Sequence, residues 1–402
     1  MRIEAESRLA TVGFVLVAIC LGVVQFSIFL AQTTFALAAI LWLIVTIQER
    51  RRPDVPAFFL PLVVYAVLTL VSAAMSPNPQ KSFIDSRQLL LWLMVPVVAR
   101  FARGHRAEVV INVIIALGAA GAVVGVVQFA MFGFDDLQKR PTGALSHYMT
   151  YSGVLMLVTG AAVARLLFHR GEWIWPAIAV PALLVALAFT FARNAWVGVF
   201  VAIVCLLAIR NWKLVIIAPL AAILFLAIAP AGIRQRAFSM FDLNDPTNRD
   251  RRAMLKVGAG MIQDHPLFGV GPEMIESQYT RYRPTDAVNP TNPHLHNVPL
   301  QIAAERGLPA LAVWLWFVVV ALRDLVRQLK HGLAKSVAAA GLAALIGMLA
   351  AGLFEYNFGD SEFLMLVLGL ITLPYAAARA PAVAAGFDVT SASPAGVRAS
   401  AS

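Results

Sequence analysis

Residues 174–210 read IWPAIAVPALLVALAFTFARNAWVGVFVAIVCLLAIR. Two apolar runs meet in this stretch with a single charged side chain, Arg193, at their junction. A helix on a soluble protein hides one apolar stripe, whereas these runs are apolar on every side, as a segment solvated by lipid must be. The same texture fills the chain. Of its 402 residues 60% are hydrophobic and 13% charged, against roughly 45–50% and about 25% in soluble domains. In hydrocarbon every backbone polar group needs an internal partner, and long unalternating apolar runs satisfy that need as helices. The fold class is therefore an all-α polytopic membrane protein.

Apolar runs long enough to be read as spans fall near residues 10–30, 33–47, 56–75, 86–99, 108–132, 149–168, 174–191, 194–210, 213–230, 299–322, 336–354 and 362–379, about 12 transmembrane helices. The pairs 10–47 and 174–210 read as tight hairpins, broken at Ala31-Gln32-Thr33-Thr34 and near Arg193-Asn194. The run after Arg8 is too long for a signal-peptide core and lacks a small-residue cleavage site, so it reads as the first span. Cys20 and Cys205 sit inside apolar runs and offer neither a disulfide framework nor a metal spacing.

The formal charge of +10 invites a nucleic-acid reading. The positions of the cations answer it. With both termini cytoplasmic, the inner segments hold Arg2, Arg8, Arg50, Arg51, Arg52, Arg100, Arg103, Arg106, Arg165, Arg170, Arg210, Lys213, Arg323, Arg327, Lys330, Lys335, Arg379 and Arg398. The short outer segments hold only Lys81, Arg87, Lys139, Arg140 and Arg193. That asymmetry is the topology signal of membrane proteins, and no nucleic-acid partner is expected. The domain plan is then helices over 1–230, one large outer loop with amphipathic helices over 231–298, further helices over 299–379, and an Ala/Ser/Pro-rich, disordered cytoplasmic tail over 380–402.

The outer cations ask for a reason, since the positive-inside rule keeps such positions rare. Arg193, Lys81, Arg87 and Arg140 together suit a polyanionic ligand at the outer leaflet, because a guanidinium fork matches phosphate geometry. The outer loop adds Asn248-Arg249-Asp250-Arg251-Arg252, opening a stretch whose Ala253, Leu255, Val257, Met261 and Ile262 predict an amphipathic helix. Cations in a first helical turn oppose the helix dipole, and a bound anion would relieve the conflict. Further on, Asn292-Pro293-His294-Leu295-His296-Asn297 places two imidazoles at the outer mouth of the tenth span, where a base can take a proton from a hydroxyl. A His-x-His pair also raises a metal site, but spacing alone offers no cysteine or outer carboxylate to complete one, so no metal is expected.

Taken together these stretches resemble the O-antigen ligase and polymerase superfamily. That family's large outer loop closes on His, then Asn, Ser or Gln, nine residues, Gly, two residues, and Gly, Thr or Tyr. Here His296-Asn297, nine residues and Gly307 match, and Ala310 departs at the last position. The run His265-Pro266-Leu267-Phe268-Gly269-Val270-Gly271 and Thr190-Phe191-Ala192-Arg193 also resemble the family's patterns. So does an arginine about fifteen residues before Pro266, here Arg251, although Leu255 stands where the family often has Trp and leaves Arg249, Arg251 and Arg252 as alternatives.

The resemblance implies a GT-C-like glycosyltransferase of the bacterial inner membrane, its active site facing the periplasm. The implied donor is a polysaccharide on undecaprenyl diphosphate and the implied acceptor is the lipid A-core oligosaccharide, with membrane lipids around both. Arg193 and Arg251 would clamp the diphosphate, supported by Lys81, Arg87, Arg140, Arg249 and Arg252, with His294 and Asn297 binding substrate. His296 would be the general base of an inverting transfer that needs no metal and no cofactor. One large loop, 231–298, beside a short 133–148 favours ligase over polymerase. An O-linked protein oligosaccharyltransferase shares the donor and stays open. A lipid-linked sugar transporter would instead spread its charges through the spans.

Overall fold

A computed structural model describes residues 2–50, 53–169, 171 and 173–379. Arg51, Arg52, Arg170, Arg398 and the tail expected over 380–402 lie outside the described residues. Every regular element described is helical: α1 (Arg2–Val23), α2 (Ile28–Glu49), α3 (Phe59–Met75), α4 (Pro79–Asp85), α5 (Met94–Phe101), α6 (Arg106–Met131), α7 (Tyr148–Phe168), α8 (Ile174–Phe189), α9 (Arg193–Arg210), α10 (Ile217–Ile228), α11 (Ala231–Phe238), α12 (Pro246–Asp264), α13 (Ile275–Tyr282), α14 (Val298–His331), α15 (Lys335–Gly352) and α16 (Ser361–Ala377), with short 3-10 turns between some of them. Among the described residues seven helical stretches are long and apolar enough to cross a membrane, and five shorter apolar helices accompany them.

The bundle has a centre and a rim. In α7 and α15 the spanning windows are 83% and 78% buried, whereas in α2 the figure is 22%, so α2 keeps its apolar side chains for lipid. Leu220, Ile223, Leu224 and Ile228 of α10 are likewise exposed. α15 packs against α7, α9, α14 and α16, and its run of alanines and glycines lets those backbones approach closely.

The first hairpin breaks earlier than the sequence suggests. The chain turns after Val23 and restarts at Ile28, where Ser27 in an extended conformation caps α2 by accepting the Leu30 N–H. Thr33 and Thr34 do not break anything: their hydroxyls donate back to Phe29 O and Leu30 O, each at 2.8 Å, and so are satisfied inside the helix. The second hairpin does turn just before Arg193, with Phe191 at φ 54 between α8 and α9.

The segment 231–298 folds as α11, α12 and α13 over the bundle end. The predicted amphipathic helix is α12, which buries Ala253, Met254, Val257 and Met261 while Leu255 is 50% exposed, so Met254 and not Leu255 carries that face. The conflict of cations with its dipole is resolved by the chain itself. Asp245 caps α12, accepting the N–H groups of Thr247 and Asn248 and pairing with Arg193.

The loop is then bolted to α14. Val270 N–H donates to Ala304 O (2.8 Å), Gly271 N–H to Glu305 O (2.9 Å), and Leu308 N–H to Pro266 O (2.8 Å). Ser72 from α3 donates to both Phe268 O (2.7 Å) and Glu305 O (2.9 Å). α14 kinks at Gly307, whose φ 84 and ψ 169 suit only glycine, and a Cβ there would sit 2.1 Å from Leu267 O. A Cβ on Gly269, φ 67, would sit 2.2 Å from the Glu305 carbonyl carbon. Two backbones lie flat against each other, and neither has room for a side chain.

Candidate active site

The kink and the cap of α14 decide where His296 points. Asn297, extended at φ −157, accepts the Leu300 N–H at 2.9 Å, and its amide donates to Leu353 O at 3.0 Å. The start of α14 is thereby tied to the end of α15. Leu295 N–H donates to Gln301 Oε1 (2.7 Å), its side chain enters the cluster of Met254, Val257 and Met261, and His296 turns the chain at φ 47. His294 and His296 then face a cavity of about 470 Å³.

Sequence reading missed the partner waiting there. Glu355, in the link between α15 and α16, receives His296 Nδ1 at 2.8 and 2.9 Å from its two oxygens. It also accepts the Tyr356 N–H at 3.0 Å and has His294 Nε2 3.7 Å away. Burial pushes the Glu355 carboxyl up, but the hydrogen bond from His296 and both imidazoles outweigh it and hold the group below its ordinary value. The same burial, with His296 beside it, pushes His294 down. With Glu355 ionised, Nδ1 of His296 carries the proton and Nε2 is left as the acceptor, the tautomer that a general base needs. Glu355 lies 59 residues from His296 in sequence, so no local pattern could have flagged it.

The donor atoms of His294, His296 and Glu355 lie within 4.8 Å of one another, a set that a divalent cation could also use. Spacing offered no carboxylate to complete such a set; the fold supplies one.

Four arginines form a group that reaches this pair through Arg251. Arg193 is buried, donating to Ser239 O and Oγ at 3.0 Å and to Asp245 Oδ1 at 3.2 Å. Arg140 stacks over the Tyr148 ring at 4.2 Å. Arg251 donates to Phe354 O at 2.9 Å, one residue before Glu355, and feels the charges of both Glu355 and Arg193. Arg236, which the sequence reading left out, joins them from α11, and burial together with Arg193 and Arg140 pushes it down to about 10. Its position in the long polar segment 231–298, in Arg234-Gln235-Arg236, was the available signal. Burial also lowers Arg140 and Arg251. These four guanidiniums outnumber the carboxylates that reach them, Asp136, Asp245 and Glu355.

The other cations go elsewhere. Arg249 and Arg252 are exposed, and Arg252 donates to Leu243 O, so of the three loop candidates the fold turns Arg251 toward Phe354 and Glu355. Lys81 pairs with Glu273 at 3.9 Å, and Arg87 is exposed, donating to Ile84 O in its own segment. Both stand in or just after α4, close in sequence to Asp85 and Gln88, which line the cavity. Asn297 serves as a helix cap and tie.

Residues 177–315 match the profile of the family described as O-Antigen ligase. The chain carries the domain of the O-antigen ligase and polymerase superfamily. The matched stretch runs from α8 into α14 and includes Arg193, Arg236, Arg251, His294, His296 and the Gly307 kink. Glu355 lies beyond it. The family's members are glycosyltransferase-like ligases and polymerases, which makes an enzyme's chemistry the thing this cavity has to explain. A search of curated proteins gave no significant match.

Proposed function

We propose that the chain is an O-antigen ligase of the bacterial inner membrane, moving a polysaccharide from undecaprenyl diphosphate to a sugar hydroxyl of the lipid A-core on the periplasmic face. A bundle of twelve spans in a GT-C-like arrangement carries the site. His296 Nε2 takes the proton of the acceptor hydroxyl while its oxygen attacks the anomeric carbon. The bond from that carbon to the diphosphate oxygen breaks, its electron pair leaves with the diphosphate, and the anomeric centre inverts. Glu355 holds the imidazole in the accepting tautomer and steadies the imidazolium that forms.

Arg251 supplies the direct contact to the departing diphosphate. Arg193, Arg140 and Arg236 supply the positive field, and Arg193 also fixes the capped end of α12, the helix on which Arg251 stands. Electrostatic stabilisation of this kind is worth ~10²–10³-fold per donor removed, and a positioned base ~10²–10⁴-fold. Lys81, Arg87, Arg249 and Arg252 contribute at longer range, and His294 and Asn297 shape the floor around the base. The reaction proceeds without a metal or cofactor. The observation that carries the reading is the His296 Nδ1–Glu355 contact beside the arginine group, within and next to the matched family segment.

The test uses purified protein in lipid nanodiscs, undecaprenyl diphosphate-linked polymer as donor and rough-type lipopolysaccharide as acceptor, with ligated product read on a gel. Product in excess EDTA, and its loss in His296→Ala of normal thermal stability, is expected. Full activity in that variant would remove His296 from the chemistry, and loss of product in EDTA restored by a divalent ion would give the His294, His296 and Glu355 set to a metal. Extension of the donor itself without the acceptor would select a polymerase.

A further inference from the structure

His294 takes no part in the proton transfer, yet it stands against both groups that do. Its Nε2 is 3.7 Å from Glu355 Oε1, and His296 Nδ1 is 2.8 Å from Glu355 Oε2. One donor atom from each of the three residues lies within 4.8 Å of the other two. Donors around a tetrahedral zinc ion, bound at about 2.0–2.2 Å, stand about 3.3 Å apart. The two contacts to Glu355 fall on either side of that figure, so seating a metal changes each by only about half an ångström. The donors are also held from outside the set. Glu355 Oε1 accepts the Tyr356 N–H at 3.0 Å, and Leu295, between the histidines, donates its N–H to Gln301 Oε1 at 2.7 Å. Supports of this kind orient metal ligands. All three residues line the cavity, which leaves a fourth coordination position open to it.

The donor set narrows the metal. Magnesium and calcium want six or more ligands, nearly all oxygen, whereas two imidazoles and one carboxylate suit zinc. Arg251, bonded to Phe354 O beside Glu355, works against any cation held by charge alone. Zinc gains from imidazole donation as well. We infer that His294, His296 and Glu355 form an inhibitory zinc site. The inference rests on the reading of His296 as the base and adds a means of silencing it. The metal takes Nδ1 of His296, because that nitrogen is the one turned to Glu355. A neutral imidazole bound through Nδ1 carries its single proton on Nε2. The proton therefore moves from Nδ1 to Nε2 and none is released. The nitrogen that accepts the proton of the acceptor hydroxyl becomes a donor, and transfer stops. With a proton between His296 and Glu355 the pair is active, and with zinc in that place it is not.

The test titrates zinc chloride into chelator-stripped protein in nanodiscs, made without a polyhistidine tag. Binding is followed by calorimetry, beside the initial rate of polymer transfer to rough-type lipopolysaccharide. Expected is one zinc per chain, with inhibition that tracks occupancy and is reversed by EDTA, while magnesium chloride leaves the rate unchanged. In His294→Ala, with rates taken relative to that variant's own zinc-free rate, half-inhibition should need at least about tenfold more zinc. Cobalt chloride gives a second reading that needs no turnover: the wild type should develop the visible bands of four-coordinate cobalt, and His294→Ala should not. Failure to bind one zinc per chain, or equal zinc sensitivity in His294→Ala, would overturn the site. Transfer that falls in EDTA and returns with zinc would overturn the inhibition. Zinc bound by a wild-type protein inert toward the lipid-linked donor would bring down the transfer reading, and the inhibition with it, but not the ligand set.

Discussion

Two regions of this molecule fall in or beside the stretch that matches the O-antigen ligase profile, and they are built in opposite ways. At the junction of residues 266–271 with 304–308 the contacts run from backbone to backbone, and the glycines matter because they have no side chain. Around His296 the contacts are made by side chains, to one another or to backbone carbonyls, drawn from α9, α11, α12, the start of α14 and the link after α15. The first region fixes where the segment 231–298 lies on the bundle. The second depends on that placement, because Arg251 rides on α12 and Glu355 does not. The glycine motif is thus the hinge-pin of the site without touching any substrate.

The largest expected effect breaks the first region. Gly307→Ala puts a methyl group 2.1 Å from Leu267 O in a conformation that only glycine adopts readily, so it should cost about 3 kcal/mol or more and shed folded protein. Size-exclusion yield and a thermal melt would check it. A variant of wild-type yield and melting temperature would mean that the loop is not bolted down as described.

The next expected effect sharpens the second region. Arg251→Ala should lower kcat by about 10²–10³-fold with little change in melting temperature. Arg249→Ala, two residues away on the exposed side of the same helix, should stay within about twofold. Equal losses in both would mean that the segment 231–298 acts through its total charge, and not through one arginine turned inward.

The same contrast explains how much was legible beforehand. Periodicity and charge marked the helical bundle, the turn before Arg193, α12 and the large loop, because each is written in adjacent residues. Motif spacing singled out His296, and Arg251 beside Arg249 and Arg252, for the same reason. The break at Ser27 was hidden because two threonines that look like punctuation are satisfied inside their helix. Leu255 was assigned to the wrong face of α12 because one step of helix rotation, about 100°, separates it from Met254. Asp245, Arg236 and Glu355 were missed because each acts on a residue far along the chain: Asp245 on Arg193, Arg236 on Phe191 O, Glu355 on His296. Partnerships of that kind exist only once the loop has folded back.

The claim on which everything rests is that His296 and Glu355 work as one unit, and a double-mutant cycle on kcat measures it. His296→Ala and Glu355→Gln are assayed singly and together, with each variant's melting temperature alongside. If the carboxylate acts through the imidazole, the double variant will be no slower than His296→Ala alone. Losses that multiply would show two independent contributions and contradict the assignment of Glu355 as the residue that orients the base.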